Sequence, residues 1–251
     1  MSVSIFAAIK QAMSTKIFLI AVLGMAGVVI ISAFNDIIYA ARAEELLPAG
    51  SCAEMMIRAM SGNAVLLALP LIAALPYTTS FTDDIKSGFV KFYLIRTTKA
   101  GYIASKCTAA AIAGGTVVAF GIMIAFCAAA FIFLPNEATN TAAAETFKTA
   151  AEKIFLFFLS GAFWSCTGMT FACITNSRYM AYASPFVIYY MLVILCERYF
   201  SNIFIIYPKA WTSPEITEGL DQAGAVGIII VLTIMMALIF ALNAKKRISQ
   251  I

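Results

Sequence analysis

Six times between Ile17 and Asn243 the chain runs through an apolar stretch long enough to cross a hydrocarbon layer. A spanning helix needs about 20 such residues. The runs fall at about 17–39, 63–81, 102–134, 154–175, 181–197 and 223–243. Inside lipid every backbone N–H and C=O must find its partner within the protein, so runs of this length fold as helices. Composition agrees: of 251 residues, 62% are hydrophobic and 12% are charged, whereas a soluble domain carries about twice that share of charge. The expectation is an all-α integral membrane protein, one transmembrane domain over 1–251 with six spanning helices.

Charge placement sets the orientation. With both termini cytoplasmic, the inner segments hold eleven Lys and Arg: Lys10, Lys16, Lys86, Lys91, Arg96, Lys99, Lys106, Arg178, Lys245, Lys246 and Arg247. The outer segments hold six: Arg42, Arg58, Lys148, Lys153, Arg198 and Lys209. This is the positive-inside asymmetry. Asp83 and Asp84 are the only acids on the inner side. Pro70 and Pro76 are expected to bend the second span, and the third is long enough to require tilt.

The opening residues, 1–15, place Val3, Phe6, Ala7, Ile9 and Met13 on one helical face beside Lys10. That pattern predicts an amphipathic helix lying on the inner leaflet. No small-residue cleavage site follows the first apolar run, which is read as a retained span. Two outer loops are substantial. PNEATNTAAAETFKTAAEK, before the fourth span, is Ala-rich and acidic, with partial helix expected. In 198–222, IFIIY before Pro208 is apolar enough to dip into the membrane as a short re-entrant helix, and Tyr207 and Trp211 suit the headgroup layer.

Catalytic constellations are missing. The chain has no His, which removes the commonest general base and metal ligand. Glu44-Glu45 lacks the following Arg and the His that an intramembrane glutamate protease needs. Five of the six cysteines lie in apolar runs without a CxxC pair and read as small buried hydrophobes; a Cys52–Cys196 disulfide is left open. Asp36 and Glu197, near outer span ends, are read as interfacial acids, with binding of substrate or a proton as the alternative. Ser160, Ser165, Thr167 and Thr170 have no base partner and are expected to hydrogen-bond within or between helices. Gly24 and Gly27 can allow close helix packing at a dimer seam. No phosphate-binding loop occurs, so no enzyme activity, cofactor or metal site is expected in the chain itself.

The charged stretch 82–101 stands out between apolar runs. Thr82, Asp83 and Asp84 read as a capped, acidic helix start. Ile85, Phe89 and Phe92 recur as an apolar stripe with Lys86 and Lys91 off it, and Gly88 falls mid-helix. Arg96 to Gly101 is a turn, after which Ser105 and Lys106 enter the third span. A basic interfacial helix held by anionic lipid explains the lysines. An amphipathic elbow is also what a soluble partner grips.

Asp84, Gly88, Lys91, Arg96, Ser105 and Lys106 together resemble the acid-x-x-x-Gly segment, basic turn and Ser-Lys span start of permease subunits of ABC type-2 exporters. Asp84 stands where Glu is usual there, Phe89 replaces a common Thr, and the Pro and second Arg of the turn are absent. The resemblance implies a half-permease of a multi-pass, bacterial-type cytoplasmic membrane transporter. Its 82–97 coupling elbow (Asp84, Ile85, Gly88, Phe89, Lys91, Phe92, Arg96) would dock a separate ABC ATPase that carries the ATP and Mg. The second half would be an identical or a sister chain. With few charges in the spans, the cargo is expected to be hydrophobic or amphiphilic: a peptide, bacteriocin, drug or lipid. No nucleic-acid partner is expected. The competing reading is a non-transporting immunity or sensor protein whose elbow binds a signalling partner.

Overall fold

The computed structural model describes residues 2–42, 48–95, 97–133, 142–200, 204–213 and 221–250. Among them the chain is helical, with no strand. Four helices are long and apolar enough to cross a membrane, or up to six if each of two bent helix pairs makes one span. The protein is an all-α, multi-pass membrane protein.

The first bent pair is α1 (Ser2–Met13) and α2 (Lys16–Ser32), set at 60°. Thr15 makes the corner: it caps α2 by accepting from the Phe18 amide, and its hydroxyl donates back to the Ala12 carbonyl. α1 lies against the bundle through Ala8 and Ala12, while Phe6 and Lys10 are exposed. The buried face is thus the alanine side rather than the Phe6–Ala7 side of the expected stripe, because small side chains let α1 approach its neighbours closely. α2 does not continue to Tyr39 as the hydropathy predicts. It ends at Ser32, and α3 (Phe34–Arg42) begins afresh with Asp36 in its first turn, where the helix dipole favours an acid.

The second bent pair is α4 (Ser51–Met60) and α5 (Asn63–Ala74), at 67°. Hydropathy did not single out α4, because Glu54 and Arg58 dilute it. Its other face buries Cys52, Met55, Met56, Ala59 and Met60. At the corner Ser32 donates to the Ala59 carbonyl (3.0 Å), and a Cβ on Gly62 would collide with the Ser32 hydroxyl. α5 carries Pro70 within it but stops at Ala74, short of the expected Phe81. Pro76 cannot donate to a continuing ladder, and residues 75–79 form turns.

Two long helices organise the bundle: α8 (Lys99–Phe133) and α9 (Ala142–Thr175), of 35 and 34 residues. At 1.5 Å per residue each is about 50 Å long, well beyond the ~30 Å hydrocarbon core. The Ala-rich segment expected as an outer loop is helical from Ala142 onward and continuous with the run expected as the fourth span. Where α8 crosses α9, Gly114 and Gly161 face each other so closely that a Cβ on either would lie 2.8 Å from the other's carbonyl oxygen. Ser165 donates across this crossing to the Ala110 carbonyl at 2.8 Å. Thr167 bonds back to Phe163, and Thr170 to Cys166 and across to Met236. Small residues and hydroxyls are how helices associate where lipid offers no hydrophobic drive. Gly24 and Gly27, by contrast, have open space around them.

α9 turns into α10 (Arg178–Arg198) through Asn176, whose positive φ of 55° lets the chain reverse. Beyond α10 a 3-10 turn (Phe204–Ile206) and the short α11 (Pro208–Thr212) lead to α12 (Gln222–Ile248). Trp211 is not at an exposed headgroup position. It is 1% exposed, edge-on to Phe163, stacked near Trp164, and donates its indole N–H to Ile205. Glu197 accepts from Lys209 at 2.8 Å and from Tyr207 at 3.1 Å, a contact that pins α11 to the end of α10. No disulfide forms among the described residues, Cys52 and Cys196 included. Of the four long helices α9 is the most buried, with 72% of its most apolar window inside the protein, against 17% for α12. α12 is thus the least buried of the four long helices.

Candidate functional site: the elbow at the basic end

One end of the bundle gathers the N-termini of α8 and α10 and the C-terminus of α12. There Arg178 pairs with Asp83, and Arg247 donates to the Ile174 carbonyl at 2.9 Å. The link between the second and third expected spans closes this end as two short helices, α6 (Ser80–Lys86) and α7 (Phe89–Leu94).

The sequence predicts one helix capped at Thr82 to Asp84, with Gly88 in its middle. α6 instead begins at Ser80, with Thr82 buried and bonding back to the Thr79 carbonyl. Gly88 is not mid-helix: it takes φ +73°, a left-handed turn that ends α6 and starts α7 in a new direction. A side chain is disfavoured there by about 1–2 kcal/mol, which accounts for the glycine. The break also splits the Ile85–Phe89–Phe92 stripe. Ile85 packs inward, while Phe89 and Phe92 are exposed.

Asp84 is likewise turned inward. Its Oδ2 lies 2.7 Å from Lys106 Nζ and accepts from the Tyr102 hydroxyl at 2.6 Å. Lys106, on the second turn of α8, is buried and also donates to Ser80 and, at 3.2 Å, to the Tyr77 hydroxyl. Its ammonium sits over the rings of Tyr77 and Tyr102, 5.0 and 5.7 Å from their centroids. All three donor positions of the ammonium are used, as burying a charge demands. Around this pair Phe81 meets Phe240 edge-on, and Tyr93 of α7 packs against Tyr102. Ser105, fully buried, bonds back to the Tyr102 carbonyl.

The elbow is therefore fixed on its inner side and open on its outer side. Val90 is buried and anchors α7; Lys86, Lys91, Phe92 and Ile95 are exposed. Arg96 lies outside the described residues, as do Glu44 and Glu45. Pro70 and Pro76 stand upstream, the first within α5 and the second in the turn leading to α6. Tyr77, Ser80, Tyr102 and the Asp83–Arg178 pair are structural partners that sequence reasoning passed over. The signal was Lys106 itself: a lysine leading into an apolar run implies a buried partner. No group of His, Cys, Asp and Glu suited to a metal occurs among the described residues.

No family model, curated protein or solved structure matches this chain.

Proposed function

We propose that this chain is the membrane-spanning subunit of an ATP-driven exporter, and that α6–α7 is the elbow its soluble ATPase holds. The observation that carries the reading is the elbow's two-sidedness. Phe92 is 72% and Ile95 82% exposed beside Lys86 and Lys91, yet the same segment is locked to α8 through Asp84–Lys106 and to α10 through Asp83–Arg178. An exposed apolar and basic face on a short rigid element suits a protein partner. A push on α6 is passed directly into two long helices. The motif resemblance of Asp84, Gly88, Lys91, Ser105 and Lys106 supports the same reading.

In this proposal the basic end is cytoplasmic, α1 lies along that face, and the six spans are α2, entered from α1 through the 60° corner, α4 with α5, α8, α9, α10 and α12. The membrane is a bacterial-type cytoplasmic one. ATP and Mg belong to the partner. Gly24 and Gly27, open on the outward face of α2, provide a seam for a second half, identical or sister. Cargo is hydrophobic or amphiphilic, since the described spans hold few charges away from their ends.

The test is co-expression of the full chain with the ATPase encoded beside it, comparing wild type with Phe92→Glu and Lys91→Glu. Both substitutions lie on the exposed face, so thermal unfolding of the purified chain stays unchanged while ATPase co-purification and export fall together. Full retention of both would sink the docking role. Loss of a bound kinase or other signalling protein, with no ATPase partner, would favour the sensor reading.

A further inference from the structure

A groove of about 610 Å³ opens between α8 and α12 at the basic end. Its floor is apolar: Ile103, Ala104 and Cys107 from α8 face Ile234, Leu238 and Leu242 from α12. Lys99 and Lys245 stand at its mouth, and no acidic residue lines it. We propose that this groove binds one anionic phospholipid, its headgroup phosphate between the two lysines and an acyl chain along the floor.

Three observations converge on that occupant. The first is charge. Lys106 and Arg178 at this end have aspartate partners, and Arg247 has a carbonyl. Lys99 and Lys245 are exposed with no ion pair among the described residues, as are Lys86, Lys91 and Lys246, but only these two flank the apolar groove. Lys245 in the last turn of α12 is favoured by the helix dipole, but that explains neither Lys99 opposite it nor the apolar trough below.

The second is length. From Lys99 to Thr108 and from Lys245 to Ile234 the groove follows its walls for about 14–16 Å at the helical rise. Half of a ~30 Å hydrocarbon core is about 15 Å. With its two lysines at headgroup level the groove reaches the bilayer midplane, the reach of one acyl chain in one leaflet.

The third concerns the rival occupant, a second copy of this chain. A twofold contact on this face would set two further lysines beside the first pair with no acid in the groove to offset them. Basic pockets between spanning helices are suited to anionic headgroups.

The experiment is native mass spectrometry of the full, delipidated chain in detergent, titrated with phosphatidylglycerol and with phosphatidylcholine of the same acyl chains. Wild type is expected to hold one phosphatidylglycerol at least tenfold more tightly than phosphatidylcholine. Lys99→Gln with Lys245→Gln should weaken phosphatidylglycerol tenfold or more and erase the preference, since each lysine near an anionic surface contributes measurably. Ala237→Trp, which fills the groove, should weaken both lipids, whereas Lys246→Gln, outside the lining, should change neither. Equal binding of the two lipids by wild type, or wild-type affinity in the double lysine variant, overturns the proposal. So does a dimer that Ala237→Trp dissociates, which would make the groove a contact between copies. No ATPase is needed, so the outcome is independent of the export reading.

Discussion

Lys106 and Asp84 form a buried ion pair at 2.7 Å that joins the second turn of α8 to the α6 segment of the elbow. The lysine side chain is 7% exposed and the aspartate 18%. Breaking such a pair by removing one partner leaves a charge stranded, at a cost of about 3–5 kcal/mol. Lys106→Met is therefore expected to lower the thermal unfolding midpoint in detergent sharply, and Asp84→Asn combined with it to recover part of the loss. Additive effects in that double-mutant cycle would show that the two residues do not act as a pair.

Gly88 tests the elbow's shape independently of its charges. A Cβ there meets nothing within 4 Å, so any penalty comes from the backbone alone. Gly88→Ala is expected to destabilise by about 1–2 kcal/mol, and Gly88→Asn by less, because Asn tolerates the left-handed region. Equal midpoints for all three chains would mean that residue 88 does not need its positive φ.

The α8–α9 crossing should be an unforgiving place in the bundle. A Cβ on Gly114 would sit 2.4 Å from Ser165 Cβ and 2.8 Å from the Gly161 carbonyl oxygen. Gly114→Val and Gly161→Val are expected to cost more than the ~1–3 kcal/mol of ordinary overpacking, because backbone blocks the way. Gly227→Val, into open space, serves as the comparison. Size-exclusion profiles and unfolding midpoints distinguish the two outcomes.

At the opposite end, Lys209 and Glu197 predict a pH dependence. Partial burial works against the Lys209 charge, but hydrogen bonding and attraction from Glu197, together with Tyr207, outweigh it and hold the ammonium above its ordinary pKa. A raised pKa in the folded state gives stability that is full below the ordinary lysine range of about 10.4. That stability is lost as pH rises through the folded value. The pair is partly solvated, so the effect is under about 1 kcal/mol. The unfolding midpoint of wild type minus that of Glu197→Gln should be positive at pH 9 and shrink towards pH 12. A difference that stays constant across this range would exclude the linkage.

Much of this architecture was legible in the residues because apolar length and basic asymmetry are local properties. The spans at 102–134, 154–175, 181–197 and 223–243 each fall within or nearly within one continuous helix, since a long apolar run in lipid has no other way to satisfy its backbone. The first two spans were less legible. Ser32 and Ala33, or Ser61 and Gly62, look unremarkable in sequence, yet helices end there, and the two breaks meet in the fold through Ser32 on the Ala59 carbonyl.

The elbow divides the same way. That 82–101 is a charged, partly apolar link is written in its composition, and Lys106 at the start of an apolar run calls for a partner. Which of its residues face inward is not. Asp84 looked like a surface contact and is held by Tyr102 and Lys106, while Trp211 looked interfacial and is buried against Phe163 and Trp164. The solvent the chain folds in, the number of its apolar runs and its basic end follow from the residues alone, because hydropathy and charge act residue by residue. Where helices break, which charges pair and which groove stays open emerge with the folded bundle, because they depend on groups that meet only after the chain has folded.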